Sequence, residues 1–333
     1  MINKRISTFI AATVMMVFLL IALPSSAANQ TAEQLSYIAQ DKSKKRSERI
    51  DALEQLASFP SQSALIAIAR GLKDNQHDIR EASVRASAPY QLTHRWRLLS
   101  PLMDDLVLDV RMAVAKNLAV DYTKMNAVQK RQFDPLFDDW ASTLILKGSE
   151  ESMMTLAEGY LYISDYNAAR NVYSQLIERS EGGVDAWIGV AESYRLNKQD
   201  EQALAVLNDA LVVFSDEPSI LYVKSLTLVR LNKPNQAARS MDSAAKIAKT
   251  NSQYWYVNGV LQEAYDQQLA LESLKKAYQI SGHPEQLYAV CDFKIRHLDN
   301  KAEVCLMQLE KIAPPHVIAN LRSRIEQRDV VTN

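Results

Sequence analysis

Glycine and proline are scarce in this chain, 8 and 10 among 333 residues. An all-β protein needs turns about every 8 to 12 residues and draws them largely from those two residue types, so their scarcity argues for helices. Cysteine is scarcer still, with only Cys291 and Cys305. That excludes a cysteine-rich zinc cluster, and no Cys-x-x-Cys-His stretch exists to attach a haem. The histidines His77, His94, His283, His297 and His316 include no pair at metal-ligand spacing. Phosphate-cradling Gly-x-x-x-x-Gly-Lys and Gly-x-Gly-x-x-Gly loops are missing, as is a Gly-x-Ser-x-Gly elbow. The acid pairs Asp104/Asp105 and Asp138/Asp139 read as solvated caps at helix turns. The sequence thus offers no catalytic, metal or cofactor-binding set and reads as non-enzymatic. Net charge is −1, which carries no general attraction to nucleic acid or anionic membrane. The one basic cluster, Lys42 to Arg49, has no flanking aromatics and reads as a solvated turn and helix start.

What is present begins with an address. Lys4 and Arg5 precede an apolar run from Phe9 to Leu23 broken only by Thr13. Pro24 and small residues follow, so that Ser25–Ala27 or Ser26–Ala28 fill the cleavage positions. Residues 1–28 read as a secretory signal peptide, which predicts a periplasmic or secreted protein. The alternative is an inner-membrane anchor over residues 6–23, and membrane contact is expected only in that case. In an oxidising compartment Cys291 and Cys305 can form a disulfide, or they can serve as two buried apolar thiols; the sequence leaves both open.

The rest of the chain is periodic. Ala169, Ala203 and Ala237 recur every 34 residues, Ala210 matches Ala244, and Trp187 matches Trp255 two periods on. This is the signature of tetratricopeptide repeats, in which two helices per unit stack into a superhelix with a concave face. The repeats are assigned to residues 150–314, with one residue lost near Asp266–Gln268, and a polar capping helix to 315–328. Ala191, Ser225 and Gly259 are expected to face Ala203, Ala237 and Ala270 where paired helices cross, since only small residues allow close approach.

Residues 32–121 follow a period of 31: Arg49, Arg80 and Arg111 recur with Leu53, Val84 and Ala115 and with Asp74 and Asp105. The stretches DNQHDIREASVRASA and DDLVLDVRMAVAKNLA open helices with Asp-Ile/Val-Arg, and this pattern resembles HEAT repeats. Ile79 and Val110 are expected in the core, Asp78 and Asp109 in the first helical turn, and each Arg at the acidic turn of its own or the preceding repeat. Residues 122–148 form a linker helix that starts near Asn126, is open to interruption before Pro135, and buries Phe133, Leu136, Phe137 and Trp140. The predicted fold is therefore all-α, with two α-solenoids in series.

That order, with the stretch HRWRLLSPLMDDLVLDVRMAVAKNLA, resembles the haem-free C-terminal half of secreted bacterial multihaem cytochrome c-like proteins. The resemblance implies an architecture, and it raises a docking role for a separate cytochrome or other envelope redox complex as an alternative function. The primary reading is an exported scaffold that binds a peptide or helix segment of a cell-envelope protein. Inward positions of the first helices place Tyr222, Tyr256 and Tyr288 in a ladder, with Arg195, Arg230, Glu192 and Glu263 beside them. Tyrosines supply rigid contact area with a hydrogen-bonding tip, which suits peptide capture.

Overall fold

The computed structural model describes the backbone of residues 25–332 and the side chains of residues 31–325. Of the signal peptide read over residues 1–28, residues 1–24 lie outside them. Among the described residues there are eighteen α-helices and no strand, and no helix is long and apolar enough to cross a membrane. The chain divides into two compact units, Met1–Gly182 and Gly183–Asn333. The division falls one 34-residue unit beyond the change of period.

The first unit opens with α1 (Ser25–Gln40), α2 (Arg46–Leu56), α3 (Gln62–Gly71), α4 (His77–Ala86), α5 (Leu92–Leu99) and α6 (Leu108–Ala119). The second helices α2, α4 and α6 pack on one another in 31-residue steps, and α1 packs on α3. Leu53, Val84 and Ala115, one per step, are fully buried, as are Ile79 and Val110. The arginines tie the steps together. Arg49 pairs with Asp74 at 2.6 Å, and Arg80 donates through Nε and Nη2 to Asp105, both at 2.8 Å. Each carboxylate therefore comes from the following turn, not the preceding one. The arginine's own turn supplies a backbone carbonyl instead, Asp74 O for Arg80 at 2.9 Å. The geometry explains the direction. Asp74 and Asp105 accept the N–H groups of Gln76 and Val107, an Asx turn that leaves the other oxygen facing back along the stack.

A separate buried charge follows this ladder. Arg95 is enclosed and donates to Tyr90 O at 2.8 Å, to Asn117 Oδ1 at 2.9 Å and to the Asp121 carboxylate. Helix α7 (Ala127–Lys147) starts with a capping box between Asn126 and Gln129. It runs through Pro135 without interruption. An interior proline costs about 3 kcal/mol through a lost N–H bond and a clash, yet the flanking Phe133, Leu136, Phe137 and Trp140 are all buried. Arg131, whose carbonyl loses its partner, and Pro135 itself lie on the exposed side, where water can donate to that carbonyl. Packing of the aromatic face overrides the local break. Next come α8 (Glu150–Tyr162) and α9 (Tyr166–Glu178). Gly159 on α8 lets it close on α7, because a Cβ there would lie 2.6 Å from Trp140 Cζ3.

The second unit contains α10 (Gly183–Leu196), α11 (Asp200–Val213), α12 (Pro218–Arg230), α13 (Pro234–Ile247), α14 (Ser252–Gln262), α15 (Gln267–Ser281), α16 (Pro284–Arg296), α17 (Ala302–Leu309) and α18 (Pro315–Thr332). The helices pair as α10/α11, α12/α13, α14/α15 and α16/α17. The small residues occupy the crossings as their spacing requires. Ser225 Oγ donates to Ala237 O at 3.0 Å, and a Cβ on Gly259 would sit 2.6 Å from Leu274 Cγ and 3.0 Å from Ala270 O. Cys291 and Cys305 are bonded to each other, linking α16 to α17.

Four of the turns within helix pairs are closed by left-handed residues that are not glycine. Lys198, Asn232 and Leu298 in this unit, and Ser164 in the first, have φ of 60°, 57°, 57° and 67°. In each case the next N–H returns to the carbonyl five residues back: Gln199 to Tyr194, Lys233 to Leu228, Asp299 to Lys294 and Asp165 to Tyr160, at 2.8–2.9 Å. That bond is the mark of a Schellman motif. At the expected slip no residue of the turn is left-handed, and Asp266, in the N-cap place of Asp165, Gln199 and Lys233, caps α15 by accepting from Leu269 N.

Candidate binding groove

One position of the 34-residue pattern places Ile188, Tyr222, Tyr256 and Tyr288 on successive first helices, α10, α12, α14 and α16. Four residues on come Glu192, Leu226, Val260 and Asp292. All but Asp292 are half-buried, so the core does not consume them.

The three tyrosines do not form a simple ladder. The Tyr222 ring stacks on Tyr254, with centroids 4.9 Å apart and planes 17° from parallel. Tyr254 lies two residues before Tyr256, on the same helix. The Tyr222 hydroxyl makes no hydrogen bond among the described residues, and burial holds its pKa above the ordinary phenol value. Tyr288 is tied down instead. Its phenol hydrogen-bonds Arg324 of α18, and burial, with Asp292 close by, raises its pKa. Arg324 also pairs with Asp292, which is 3% exposed and is held above the usual carboxylate range by burial, against the pull of Arg324. Arg324 of α18 thus engages, on α16, the positions that Ile188, Tyr222 and Tyr256 and the residues four further on hold on α10, α12 and α14.

The charged candidates are engaged within the protein. Arg195 and Glu192 pair one turn apart on α10. Arg230 reaches Asp200 at the start of α11 at 2.7 Å and Thr227 at 2.9 Å, so it braces two helices. Glu263 accepts from Arg296 and lies 2.8 Å from His297 Nε2. Burial, and then the charge of Arg296, push the His297 pKa down. Burial and Arg324 lower that of Arg296. Sequence reasoning missed this Glu263–Arg296–Asp292–Arg324 cluster. Its signal was Asp292, an acid at an inward position where the preceding units have Leu226 and Val260.

Lys224 was missed as well. It stands on α12 where the earlier units carry Leu156 and Val190, and burial lowers its pKa. Its counterpart Asn258 donates to Ser273 Oγ at 3.0 Å, while Gln262 donates to Ala238 O at 3.2 Å. The seam between these repeats is thus partly polar.

No protein-family model and no curated protein sequence matches the chain. Solved structures do match. The crystal structure of yeast Tom70 aligns with a TM-score of 0.55 at 10% identity, over 94% of this chain and 66% of that one. The fold is that of a tetratricopeptide-type helical repeat protein. A tetratricopeptide repeat protein from Parabacteroides merdae aligns at TM-score 0.41 and 15% identity, over 80% of this chain and 99% of its own. YrrB, described as a tetratricopeptide protein with an unusual peptide-binding site, aligns at 0.43 and 17%, over 54% and 93%. At these identities the likeness concerns the fold.

Proposed function

We propose that this chain is a non-enzymatic interaction scaffold that binds a peptide or helical segment of a protein partner in the open groove of its second unit. The observation that carries the reading is the half-buried strip of Ile188, Tyr222, Leu226, Tyr256 and Val260 on three successive first helices, flanked by charges paired within the protein. A charged ligand would have to break Glu192–Arg195 or Glu263–Arg296 to gain a partner, whereas an apolar or aromatic side chain meets a surface already half desolvated. The segment that fits is apolar at its centre, and the Tyr222 hydroxyl is available to fix its register. The sequence signal at residues 1–28 supports a partner in the cell envelope, reached after export.

The test is an affinity capture from envelope extracts with the wild-type protein, Tyr222→Phe and a Tyr222→Ala/Tyr256→Ala double variant. Partners held by the groove are lost with the double variant and reduced with the phenylalanine variant, which keeps the stack on Tyr254. Equal recovery of the same partners by wild type and double variant excludes the groove.

A further inference from the structure

The arginine ladder of the first unit ends on an empty rung. Arg80 is held by two kinds of contact: Nη1 donates to Asp74 O, six residues back, and the Nε/Nη2 edge grips the Asp105 carboxylate of the following turn. Arg111 repeats the first contact, with Nη1 donating to Asp105 O, again six residues back, at 2.7 Å. Its guanidinium is anchored in the same way as that of Arg80. It makes no second contact, since no other hydrogen bond or ion pair of Arg111 exists among the described residues. The next interhelical turn opens α8 with Glu150 and Glu151, but neither pairs with Arg111, and Glu150 accepts from Gly182 N instead. One 31-residue period beyond Asp105 stands Leu136, buried in α7.

The turn beside this rung is also unlike its predecessors. Positions filled by Lys44 and Asn75 in the first two turns hold Leu106 in the third, and those filled by Arg46 and His77 hold Leu108. Leu106 is 98% exposed and Leu108 42%. Two leucines left in water next to a half-buried arginine with a free bidentate edge gain nothing in the isolated chain.

We propose that Arg111, with Leu106 and Leu108, is a docking site for a turn of a protein partner that presents one aspartate beside an apolar residue. The aspartate carboxylate takes the Nε/Nη2 edge of Arg111 in the two-point geometry that Asp105 takes on Arg80. The apolar neighbour covers Leu106 and Leu108. The site lies in the first unit and does not depend on the groove of the second.

A suitable probe is the ligand that the neighbouring rung already holds: a cyclic, fluorescein-labelled peptide copying residues 102–110, in which Asp105 is flanked by Leu106. In the full chain the equivalent turn binds Arg80 at a high local concentration, of order millimolar for a short tether. Fluorescence anisotropy with free peptide is therefore followed with protein up to about that concentration. Binding to the wild-type chain is expected, with a loss of at least about tenfold for a peptide carrying Asp105→Asn and for protein carrying Arg111→Gln. Leu106→Glu in the protein is a second variant. The position is fully exposed, so the fold tolerates it, and the added carboxylate repels the probe with a comparable loss. No binding by the wild-type chain, or equal binding by the asparagine peptide or by either protein variant, overturns the proposal.

Discussion

In the 31-residue array the contact that recurs is an arginine held by the next turn, Arg49 by Asp74 and Arg80 by Asp105. In the 34-residue array it is a small residue pressed against a helix, Ser225 on Ala237 and Gly259 on Leu274 and Ala270. The two devices fail differently. A desolvated ion pair deprived of one partner leaves a charge with nowhere to go, whereas a crossing with its small residue enlarged must move backbone. Layers joined by charge respond to pH, and layers joined by shape do not.

The largest effect is expected where the charge is most enclosed. Asp121→Ala strips the carboxylate from Arg95, which is 3% exposed, and should destabilise the first unit by about 3 to 5 kcal/mol. Hydrogen exchange resolved by segment should show the loss in residues before 182 and spare those after 183. Equal loss in both halves would mean that the two units unfold as one.

Gly259→Val tests the opposite device. Its side chain meets Leu274 and the Ala270 carbonyl, and a cost of about 2 to 3 kcal/mol confined to the second unit is expected in the same measurement. A wild-type exchange pattern would show that the crossing is looser than its distances imply.

Acid should separate the halves. Burial opposes ionisation of Asp74 and Asp105, but hydrogen bonds from Arg49 and Arg80 and from the turn N–H groups outweigh it and hold both pKa values below the ordinary 3.8. Their contribution is complete above that value and is lost as pH falls through the lower folded-state pKa. Asp292 in the second unit has the opposite sign. Burial raises its pKa, so its cost is present at neutral pH and is relieved as pH falls through the raised value. Protection factors, which correct for the slower intrinsic exchange in acid, should therefore fall in the ladder before the α16 region as pH drops from 6, and the reverse order would refute the assignment.

The smallest change is Ser225→Ala, which removes one buried hydrogen bond and should cost about 1 kcal/mol in thermal unfolding.

The parts that sequence made legible are those that recur. Ala203 and Ala237 could be placed at crossings, and Ile79 and Val110 in the core, because each has a counterpart one period away. Arg95, Asn117 and Asp121 have none, so their network left no signal. The Arg–Asp spacing pointed each arginine to the acidic turn of its own or the preceding repeat, whereas the following turn supplies the carboxylate; a period is the same read in either direction. An interruption before Pro135 stayed open in the sequence, because local backbone chemistry alone does not say whether the aromatic face around it outweighs the break. In the groove, inward positions were readable, but what those side chains do was not. Tyr288 and Asp292 are taken up by Arg324, and that contact joins helices with no periodic relation.

The left-handed turn residues carry a practical consequence for engineering. Lys198, Asn232 and Leu298 hold a backbone conformation that disfavours side chains by about 1 kcal/mol or more, least for asparagine. Glycine at Lys198 and Leu298 removes that penalty while keeping the returning N–H bonds. The unfolded chain gains some freedom in exchange, which offsets part of the benefit. The two turns share no partner, so any gains should add. The same motif also marks where the array can be cut and rejoined: a unit excised from one left-handed residue to the next begins and ends on the same turn, which makes Lys198 and Asn232 natural seams for duplicating a repeat.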